Sequence, residues 1–379
     1  MNKKGILGAL IFWVYYSTIR QHLRGIKMRI LFTCGDRPLM ARNKYYRNLL
    51  KEKYDYTECV SHGSSYAKRL PSIFARLPFK LWNKDVVFVS YMGYFLVMFT
   101  RLFTKKPIVF DYYVSLHEMM TGDRNLFSVD SWRGKFTFWL DKKSLELADH
   151  IIVDTTPLID GAVNTYGIDR NKFMRLPVAV NEEMIHPVDV PRHKEVFTLV
   201  YMGSYIPFHG VDKVMEAAKI LQDKGVEVHF LMLGDGQTFK ANTQLAKDLE
   251  LINVEFISYV SMEELNVYYN ASDVTLGAFS GSDRSKMFIT NKAYESFAVG
   301  KPHLTVENNA LNELFTNNKN IFYIQNPSSG ELADRIIEIK GNKTLCDEVA
   351  VNALKLYQDT LSNEKVTEML EAQILSKLS

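Results

Sequence analysis

The stretch TLVYMGSYIPFHGVDKVMEAAKILQDKGVEVHFLMLG, residues 198–234, decides the fold. Its two ends, residues 198–203 and 229–234, are short apolar runs of the kind that form buried strands. Residues 211–225 between them have the period of an amphipathic helix, which Gly225 ends. The positions on the apolar face of this helix are Val214, Ala217, Ala218 and Leu221. A strand, a helix and a second strand in this order predict a parallel pair with a crossover helix.

The same alternation of strand-like and helix-length segments extends over most of the chain. The other strand-like segments are residues 28–33, 85–91, 107–113, 150–155, 172–180, 254–258, 273–279, 301–306 and 320–324. Residues 181–195 separate the two series, and two prolines there break regular structure. We therefore predict an α/β protein with two Rossmann-like domains, residues 28–185 and 196–345, followed by a helical segment, residues 346–379.

Charge is unevenly divided along the chain. The net charge of +3 combines +15 over residues 1–110, which hold 20 Lys and Arg against 5 Asp and Glu, with −12 over the remainder. Residues 1–27 are basic and aromatic, and their apolar run is shorter than the roughly 20 residues of a membrane span. We predict that they lie on an anionic membrane surface, with a helix packed on the domain as the alternative. Residues 72–84, also basic and aromatic, are expected to touch the same surface or to form an ordinary amphipathic segment.

The cysteine pattern and the basic charge limit the cellular compartment and the partners that we expect for the protein. Cys34, Cys59 and Cys346 are odd in number and distant in sequence, so they indicate neither a disulfide framework nor a zinc site of cysteine pairs. A reducing setting follows, and we expect a cytoplasmic protein held at the inner face of the membrane. No nucleic-acid-binding motif accompanies the basic charge, so a nucleic-acid partner is not expected.

Candidate binding residues follow the strands of the second series. Gly203 and Ser204 end one strand before a helix begins, so their backbone N–H groups can approach a phosphate, and His209 lies in the same turn. Gly234 and Gly236 follow the next strand without the third glycine of a dinucleotide fingerprint, which disfavours a nicotinamide enzyme.

A cluster of charged residues follows the strand-like segment 273–279. It contains the cations Arg284, Lys286 and Lys292 and the acid Glu295. Cations at a sheet edge can hold a diphosphate and stabilise its charge as it leaves, while a carboxylate can accept two hydrogen bonds from ribose hydroxyls. The alternative is a solvated basic loop with a surface glutamate.

The order of these motifs resembles the retaining glycosyltransferases of GT-B architecture, specifically glycosyltransferase family 4. The likeness is strongest over residues 198–313 and most specific in NKAYESFAVGKP, residues 291–302. The resemblance implies a nucleotide sugar, UDP- or GDP-linked, on the C-terminal domain, an acceptor on the N-terminal domain, and transfer with retention. It also implies that neither a metal nor another cofactor takes part. In agreement, the sequence contains no Asp-x-Asp, the metal-diphosphate motif of the other main glycosyltransferase architecture.

The resemblance assigns parts of the donor site. Glu295 matches the second acid of the family's Glu-x7-Glu motif, which contacts the donor ribose. Tyr259 and Val260 match the place where family members receive the nucleobase, with a simple loop as the alternative. The first acid corresponds to Met287, so the sugar-contacting carboxylate is missing and the donor sugar is not read by analogy.

The diphosphate contacts depart from the family pattern. Its Gly-Arg and downstream Lys appear here as Ser204 and His209. The contact must therefore shift, and we predict Arg284 and Lys292 as catalytic residues with Lys286 as a further donor contact. His209 either donates to phosphate or is structural.

The acceptor side is expected after the strands of the first series. An acceptor hydroxyl must lose its proton, either to a side chain or to a phosphate oxygen of the donor. His117 and Glu118, which follow segment 107–113, are the predicted side-chain candidates, and Asp111 lies on the same side. Gly35, after the first strand, either lets a ligand approach the backbone or is a routine turn.

The leading hypothesis is transfer of a sugar from a nucleotide sugar to a membrane-associated, lipid-linked acceptor during synthesis of a surface polysaccharide or related glycan. One alternative is a nucleotide-sugar epimerase of related architecture, against which the basic aromatic N-terminus argues. The other is a non-catalytic glycan- or membrane-binding protein, which the missing acid at Met287 leaves open.

Overall fold

The computed structural model describes residues 27–281 and 283–378. The predicted membrane-surface extension, apart from Lys27, lies outside the described residues. No helix in the described part of the chain combines the length and the apolar character that a bilayer span requires.

The first part of the described chain forms a six-stranded parallel sheet flanked by helices. Its strands are β1 (Arg29–Cys34), β2 (Asp55–Cys59), β3 (Val86–Ser90), β4 (Ile108–Asp111), β5 (His150–Val153) and β6 (Phe173–Arg175). Its helices are α1 (Ala41–Lys53), α2 (Tyr66–Lys80), α3 (Tyr94–Phe103), the short α4 (Leu116–Glu118), α5 (Trp132–Leu147) and α6 (Thr156–Tyr166). The strand order is β2-β1-β3-β4-β5-β6.

A second six-stranded parallel sheet follows. Its strands are β7 (Phe197–Met202), β8 (Val228–Leu233), β9 (Val254–Ile257), β10 (Val274–Leu276), β11 (His303–Val306) and β12 (Phe322–Ile324). Its helices are α7 (Val211–Asp223), α8 (Phe239–Asp248), α9 (Met262–Asn270), α10 (Asn291–Ala298), α11 (Ser329–Gly341), α12 (Lys343–Leu356) and α13 (Asn363–Leu378). The strand order is β12-β11-β10-β7-β8-β9.

The chain divides into two compact units between Val109 and Phe110, within β4. The core of the smaller unit contains Phe32 of β1 and Phe88 of β3, whose rings stack with centroids 6.0 Å apart. Tyr46 of α1 packs on Phe88 from one side of the sheet. Aromatic side chains thus fix the position of α1 on this sheet.

The larger unit contains the whole second sheet, whose core follows from the sequence pattern. All six residues of β8 are buried, as expected of a central strand covered by helices on both faces. The apolar face of α7 packs into the same core through its predicted residues Val214, Ala217, Ala218 and Leu221. Gly225, with φ of 67°, lies just beyond the end of the helix in the left-handed conformation that glycine favours.

The last helix returns to the end of the first sheet. The side chain of Gln373 in α13 donates a hydrogen bond to the carbonyl oxygen of Arg175 in β6 at 3.1 Å. Glu182, in the segment between the sheets, accepts hydrogen bonds from the Tyr357 hydroxyl and the Asn363 backbone N–H, both at 2.8 Å. The C-terminal helices of the larger unit therefore contact both β6 and the segment between the two sheets.

The predicted fold class is confirmed: the protein is α/β with two parallel, Rossmann-like sheets. Each predicted strand-like segment overlaps an observed strand, but β2 was not predicted. This strand lies at the edge of its sheet, and its sequence DYTEC lacks the apolar run of a central strand. The domain bounds at residues 28–185 and 196–345 stay a prediction.

The substitution Leu221→Ala tests the predicted core of the second sheet. Leu221 is fully buried, so its truncation is expected to lower the free energy of unfolding by about 2–5 kcal/mol. Val351→Ala is the matched control, because this side chain is 67% exposed and its truncation should change stability by less than about 0.5 kcal/mol. Denaturant unfolding of both variants measures the difference. Equal effects would contradict this assignment of the core.

Candidate functional site

Two loops at the carboxyl edge of the second sheet approach each other through glycines. Gly234 follows β8 with φ of 105°, and a Cβ there would lie 2.2 Å from the carbonyl oxygen of Gly203, which follows β7. Gly236 has φ of 152°, and a Cβ there would lie 2.4 Å from the carbonyl oxygen of Ser204. Both positions therefore require glycine, because any side chain there would force the two loops apart.

Lys292, in the first turn of α10, lies against the same loops. Its Nζ is 3.1 Å from the position that a Cβ at Gly203 would take. It also lies 4.2 Å from the centroid of the Tyr201 ring, which is cation–π contact distance. The residue is only 5% exposed, and Nζ makes no hydrogen bond to the described residues. Because a buried ammonium without an acceptor is costly, an anionic ligand can supply its missing partner.

The pKa of Lys292 lies near neutral pH. Burial lowers the pKa of Lys292 to about 7, although the carboxylate of Glu295 in the same helix opposes this shift. Burial also raises the pKa of Glu295. Two smaller effects oppose this shift: a hydrogen bond of 2.9 Å from the Tyr269 hydroxyl and the charge of Lys292. The predicted ribose-binding acid and the predicted catalytic cation therefore lie close enough to influence each other.

His209 is fixed beside this pair. It is buried, and its Nδ1 lies 2.7 Å from the hydroxyl oxygen of Tyr201. Burial, and then the charge of Lys292, holds the pKa of His209 well below its ordinary value. His209 is therefore a neutral imidazole at physiological pH, and only a neutral N–H is available to a phosphate there.

The remaining donor-side predictions are dispersed. Tyr259, after β9, is 82% exposed, and Val260 packs at the margin of a core cluster. Lys286 is exposed on the short 3-10 helix Asp283–Met287. The side chain of Arg284 lies outside the part of the chain that the structure describes.

The structure thus brings together one group of the predicted donor-side residues and adds two that were missed. The group consists of Gly203, Ser204, His209, Gly234, Gly236, Lys292 and Glu295. The missed residues are Tyr201, which touches both His209 and Lys292, and Tyr269, which binds Glu295. Their positions within a strand and a helix gave no signal beyond that of ordinary core aromatics.

A buried carboxylate, also missed, organises the predicted acceptor-side residues. Asp141 of α5 accepts hydrogen bonds from the backbone N–H groups of Leu116 and His117 at 3.2 and 2.9 Å. It also accepts from the Ser115 hydroxyl at 2.7 Å. Burial raises the pKa of Asp141 to about 6, although these hydrogen bonds oppose the shift. Asp141 therefore fixes the start of α4, which carries His117 and Glu118.

The ring of His117 has a defined orientation. Its Nδ1 lies 3.0 Å from the carbonyl oxygen of Gly134, which can only accept, so Nδ1 carries the proton. In the neutral ring, Nε2 then holds the lone pair that a proton acceptor needs. Glu118 lines a pocket together with Gly161 and Met287, and Asp111 is buried at the end of β4.

Met287, at the position of the missing family acid, is a packing residue. A Cβ at Gly161 of α6 would lie 2.4 Å from its methyl group. Its carbonyl oxygen accepts a hydrogen bond of 2.7 Å from the Thr155 hydroxyl. Nearby, the Glu313 carboxylate accepts from the Thr156 backbone N–H at 2.8 Å and pairs with Arg175 at 3.0 Å. The contacts of Met287 thus hold the 3-10 helix Asp283–Met287 on α6, and Glu313 adds a further contact to the first residue of α6.

Packing explains why glycine occupies position 35 in the smaller unit. A Cβ there would lie 1.9 Å from the carbonyl oxygen of Met92. Its own N–H donates to the carbonyl of Tyr91, and its carbonyl accepts from the buried Arg69 guanidinium at 3.1 Å. The close approach to the loop after β3 therefore accounts for glycine at this position.

Two parallel Rossmann-like sheets, with the grouped polar residues following the strands of the second, define the GT-B class of glycosyltransferase fold. Residues 185–356 match the family model described as Glycosyl transferases group 1. This range contains the whole second sheet and every residue of the donor-side group. The fold and the family match together support a transferase that moves glycosyl groups.

Solved structures of glycosyltransferases share the fold over nearly the whole chain. Sucrose-phosphate synthase from Thermosynechococcus elongatus superposes with a TM-score of 0.73 at 15% identity, covering 92% of this chain and 99% of that one. Anabaena HepE, solved in complex with UDP, gives 0.70 at 14% identity, with coverage of 92% and 100%. A glycosyltransferase from Rickettsia africae gives 0.64 at 12% identity, with coverage of 93% and 99%. No curated protein matches the chain.

The substitution Lys292→Met tests the buried, unpartnered ammonium. The folded-state pKa of about 7 lies below the roughly 10.4 of an unfolded lysine. Between these values the unfolded state binds more protons, so stability rises with pH, by at most about 1.4 kcal/mol per pH unit from this group. The cost of burying the charge is fully present below pH 7. Lys292→Met is therefore expected to raise the melting temperature at about pH 6.5, with a smaller gain at about pH 9.

Lys240→Met is the matched control for this experiment, because Lys240 is exposed on α8. Its melting temperature should follow that of the unaltered protein at both pH values. A gain from Lys292→Met that is absent, or equal at both pH values, would contradict the assigned charge state of Lys292.

Proposed function

We propose that the protein transfers a sugar from a nucleotide-sugar donor to a membrane-associated, lipid-linked acceptor, with retention of anomeric configuration and without a metal ion. The observation that carries the proposal is the buried ammonium of Lys292 beside the glycine loops that follow β7 and β8. A diphosphate is the anion that such an edge of a parallel sheet suits. The UDP and UDP-glucose complexes of the structural neighbour HepE support a uridine donor.

The proposed chemistry uses cations where other glycosyltransferases use a metal. As the bond between the sugar and the diphosphate breaks, negative charge grows on the phosphate oxygens. The Lys292 ammonium donates hydrogen bonds to these oxygens and is held there without further rearrangement. Arg284 and Lys286 are proposed to add charge from the loop before α10. The absence of an Asp-x-Asp motif in the sequence supports this route.

Retention requires that the acceptor oxygen bond to the anomeric carbon on the face that the diphosphate leaves. The acceptor hydroxyl must lose its proton in this step. A phosphate oxygen of the leaving diphosphate can take the proton directly, because it lies on the same face. His117 is the proposed side-chain alternative, since its oriented ring presents a lone pair on Nε2.

An exposed aromatic patch on α5 supports the membrane-associated acceptor. Trp132, Phe136 and Trp139 follow one another at helical spacing and are 73%, 43% and 47% exposed. The exposed cations Arg133 and Lys135 lie among them. Aromatic rings beside basic side chains are suited to the boundary between lipid headgroups and acyl chains. We propose that this α5 patch holds the protein peripherally at the inner face of the membrane.

In the smaller unit, the segment 72–84 has the same character. It lies largely in α2, and its Phe79 and Trp82 are 83% and 86% exposed. It is therefore a second candidate membrane contact, independent of residues 1–27.

The activity is tested by incubating the full chain with UDP- and GDP-sugars and a membrane lipid extract, with and without a chelator. The anomeric configuration of the product is read by NMR. Retained transfer in the presence of chelator is expected. Transfer that requires added magnesium would contradict the metal-free route, and an epimer formed from donor alone would identify the epimerase instead. Donor binding without transfer to any extract would favour a binding protein.

Lys292→Met separates the donor site from the fold. We expect the affinity for the UDP-sugar to fall roughly 10- to 100-fold, as for loss of a hydrogen bond to a charged group. Calorimetry of binding, with parallel melting curves, measures this. Lys240→Met, the exposed control, should bind as the unaltered protein does. Unchanged affinity in Lys292→Met would remove this residue from the donor site.

The α5 patch is tested by flotation with vesicles containing anionic phospholipid. Replacing Trp132, Phe136 and Trp139 together by serine should lower the bound fraction at least about tenfold, because each aromatic ring loses apolar contact with lipid. The double variant Ile252→Ser and Val351→Ser is the control, since it removes exposed apolar side chains elsewhere. Equal flotation of the triple variant and this control would refute the membrane contact of α5.

A further inference from the structure

A second polar cluster lies away from the donor-side group. It consists of His193, in the segment before β7, His229 of β8 and Glu255 of β9. Nε2 of His193 and Nε2 of His229 lie 3.3 and 3.1 Å from the same oxygen, Oε2 of Glu255. The two imidazole rings stack with centroids 5.7 Å apart. Two imidazole nitrogens thus approach the same carboxylate oxygen.

The position of this cluster separates it from the proposed donor site. His229 and Glu255 are each the second residue of their strand, near the amino ends of β8 and β9. Gly234 and its neighbours follow the carboxyl ends. Leu233 lies four positions after His229, which corresponds to roughly 13 Å along the strand. The cluster therefore does not serve the transfer reaction directly.

The spacing of the three atoms suits a tetrahedral metal ion. With metal–ligand bonds of about 2.0–2.1 Å, neighbouring ligand atoms of a tetrahedron lie about 3.3 Å apart. The two separations to Oε2, 3.3 and 3.1 Å, are close to this value, and all three ligand atoms lie within 4.8 Å of one another. Imidazole and carboxylate together suit zinc and its neighbours among the divalent transition metals.

We infer that His193, His229 and Glu255 form a structural site for a divalent transition metal of the zinc type, with a fourth position for water. When the ion binds each Nε2, the proton that now faces Glu255 would move to Nδ1 of the same ring, so both imidazoles would stay neutral. The ion would link the segment before β7 to two strands of the second sheet. His193 is already positioned by its backbone N–H, which donates to the Ala271 carbonyl at 3.1 Å, and by edge contact with the Tyr268 ring. These two contacts hold the His193 ring beside His229 and Glu255.

The ammonium of Lys194 competes with a metal ion for Glu255. Its Nζ lies 3.2 Å from the same Oε2 of Glu255, and its side chain is 44% exposed. The ammonium can therefore swing into solvent when a cation binds, but its charge opposes the ion. Removal of this charge should tighten metal binding about fivefold, the magnitude for a unit charge and a divalent ion roughly 8 Å apart in water.

Cobalt(II) titration of the metal-stripped full chain tests the inference, because tetrahedral cobalt absorbs strongly in visible light. We expect one equivalent to bind with this spectrum and zinc to displace it. His193→Ala and Glu255→Gln should weaken binding at least about tenfold, whereas Lys194→Met should strengthen it about fivefold. Zinc should also raise the melting temperature of the unaltered protein but not of Glu255→Gln.

His186→Ala is the matched control. His186 belongs to the same segment, but its Nδ1 contacts the carbonyl of Glu182 at 3.1 Å, outside the cluster. This variant should bind cobalt as the unaltered protein does. The inference is overturned if no tetrahedral spectrum develops, if His193→Ala binds cobalt normally, or if His186→Ala loses binding to the same extent. Each of these results would leave the cluster as an ion-pair network of histidine, glutamate and lysine.

Discussion

The ammonium of Lys292 lies over the face of the Tyr201 ring with no hydrogen-bond acceptor among the described residues. A neighbouring carboxylate and a neutral histidine surround it, so its protonation state responds to whatever binds there. The same environment that makes this cation costly in the free protein strengthens its interaction with an anion. An anion that binds at the proposed donor site therefore gains affinity, because it relieves the cost of the unpaired charge.

The glycine loops are the structural condition for this arrangement. If either Gly234 or Gly236 carried a side chain, the loops after β7 and β8 would have to separate, and the wall beside Lys292 would open. Parallel strands place such loops side by side because all of their carboxyl ends meet at one edge. Local backbone freedom and sheet topology thus act together to position a single buried cation.

Most of the fold could be predicted from the sequence because central parallel strands are continuous apolar runs. The exception, β2, lies at a sheet edge, where half-exposed polar residues remove that signal. In the site, glycines after strands and cations near a helix start could be found by spacing. Tyr201 and Asp141 could not, since their roles depend on contacts with residues distant in sequence. Met287 shows the same limit, because only the structure reveals that it packs on Gly161.

The return of α13 to β6 has a consequence for how the protein is made. During synthesis, β6 leaves the ribosome well before α13, because Gln373 follows Arg175 by 198 residues. Until α13 has folded, the Arg175 carbonyl of this edge strand lacks its hydrogen-bond donor, and an exposed strand edge invites pairing with other chains. This contact of the first sheet can therefore form only after every strand of the second sheet has been synthesised.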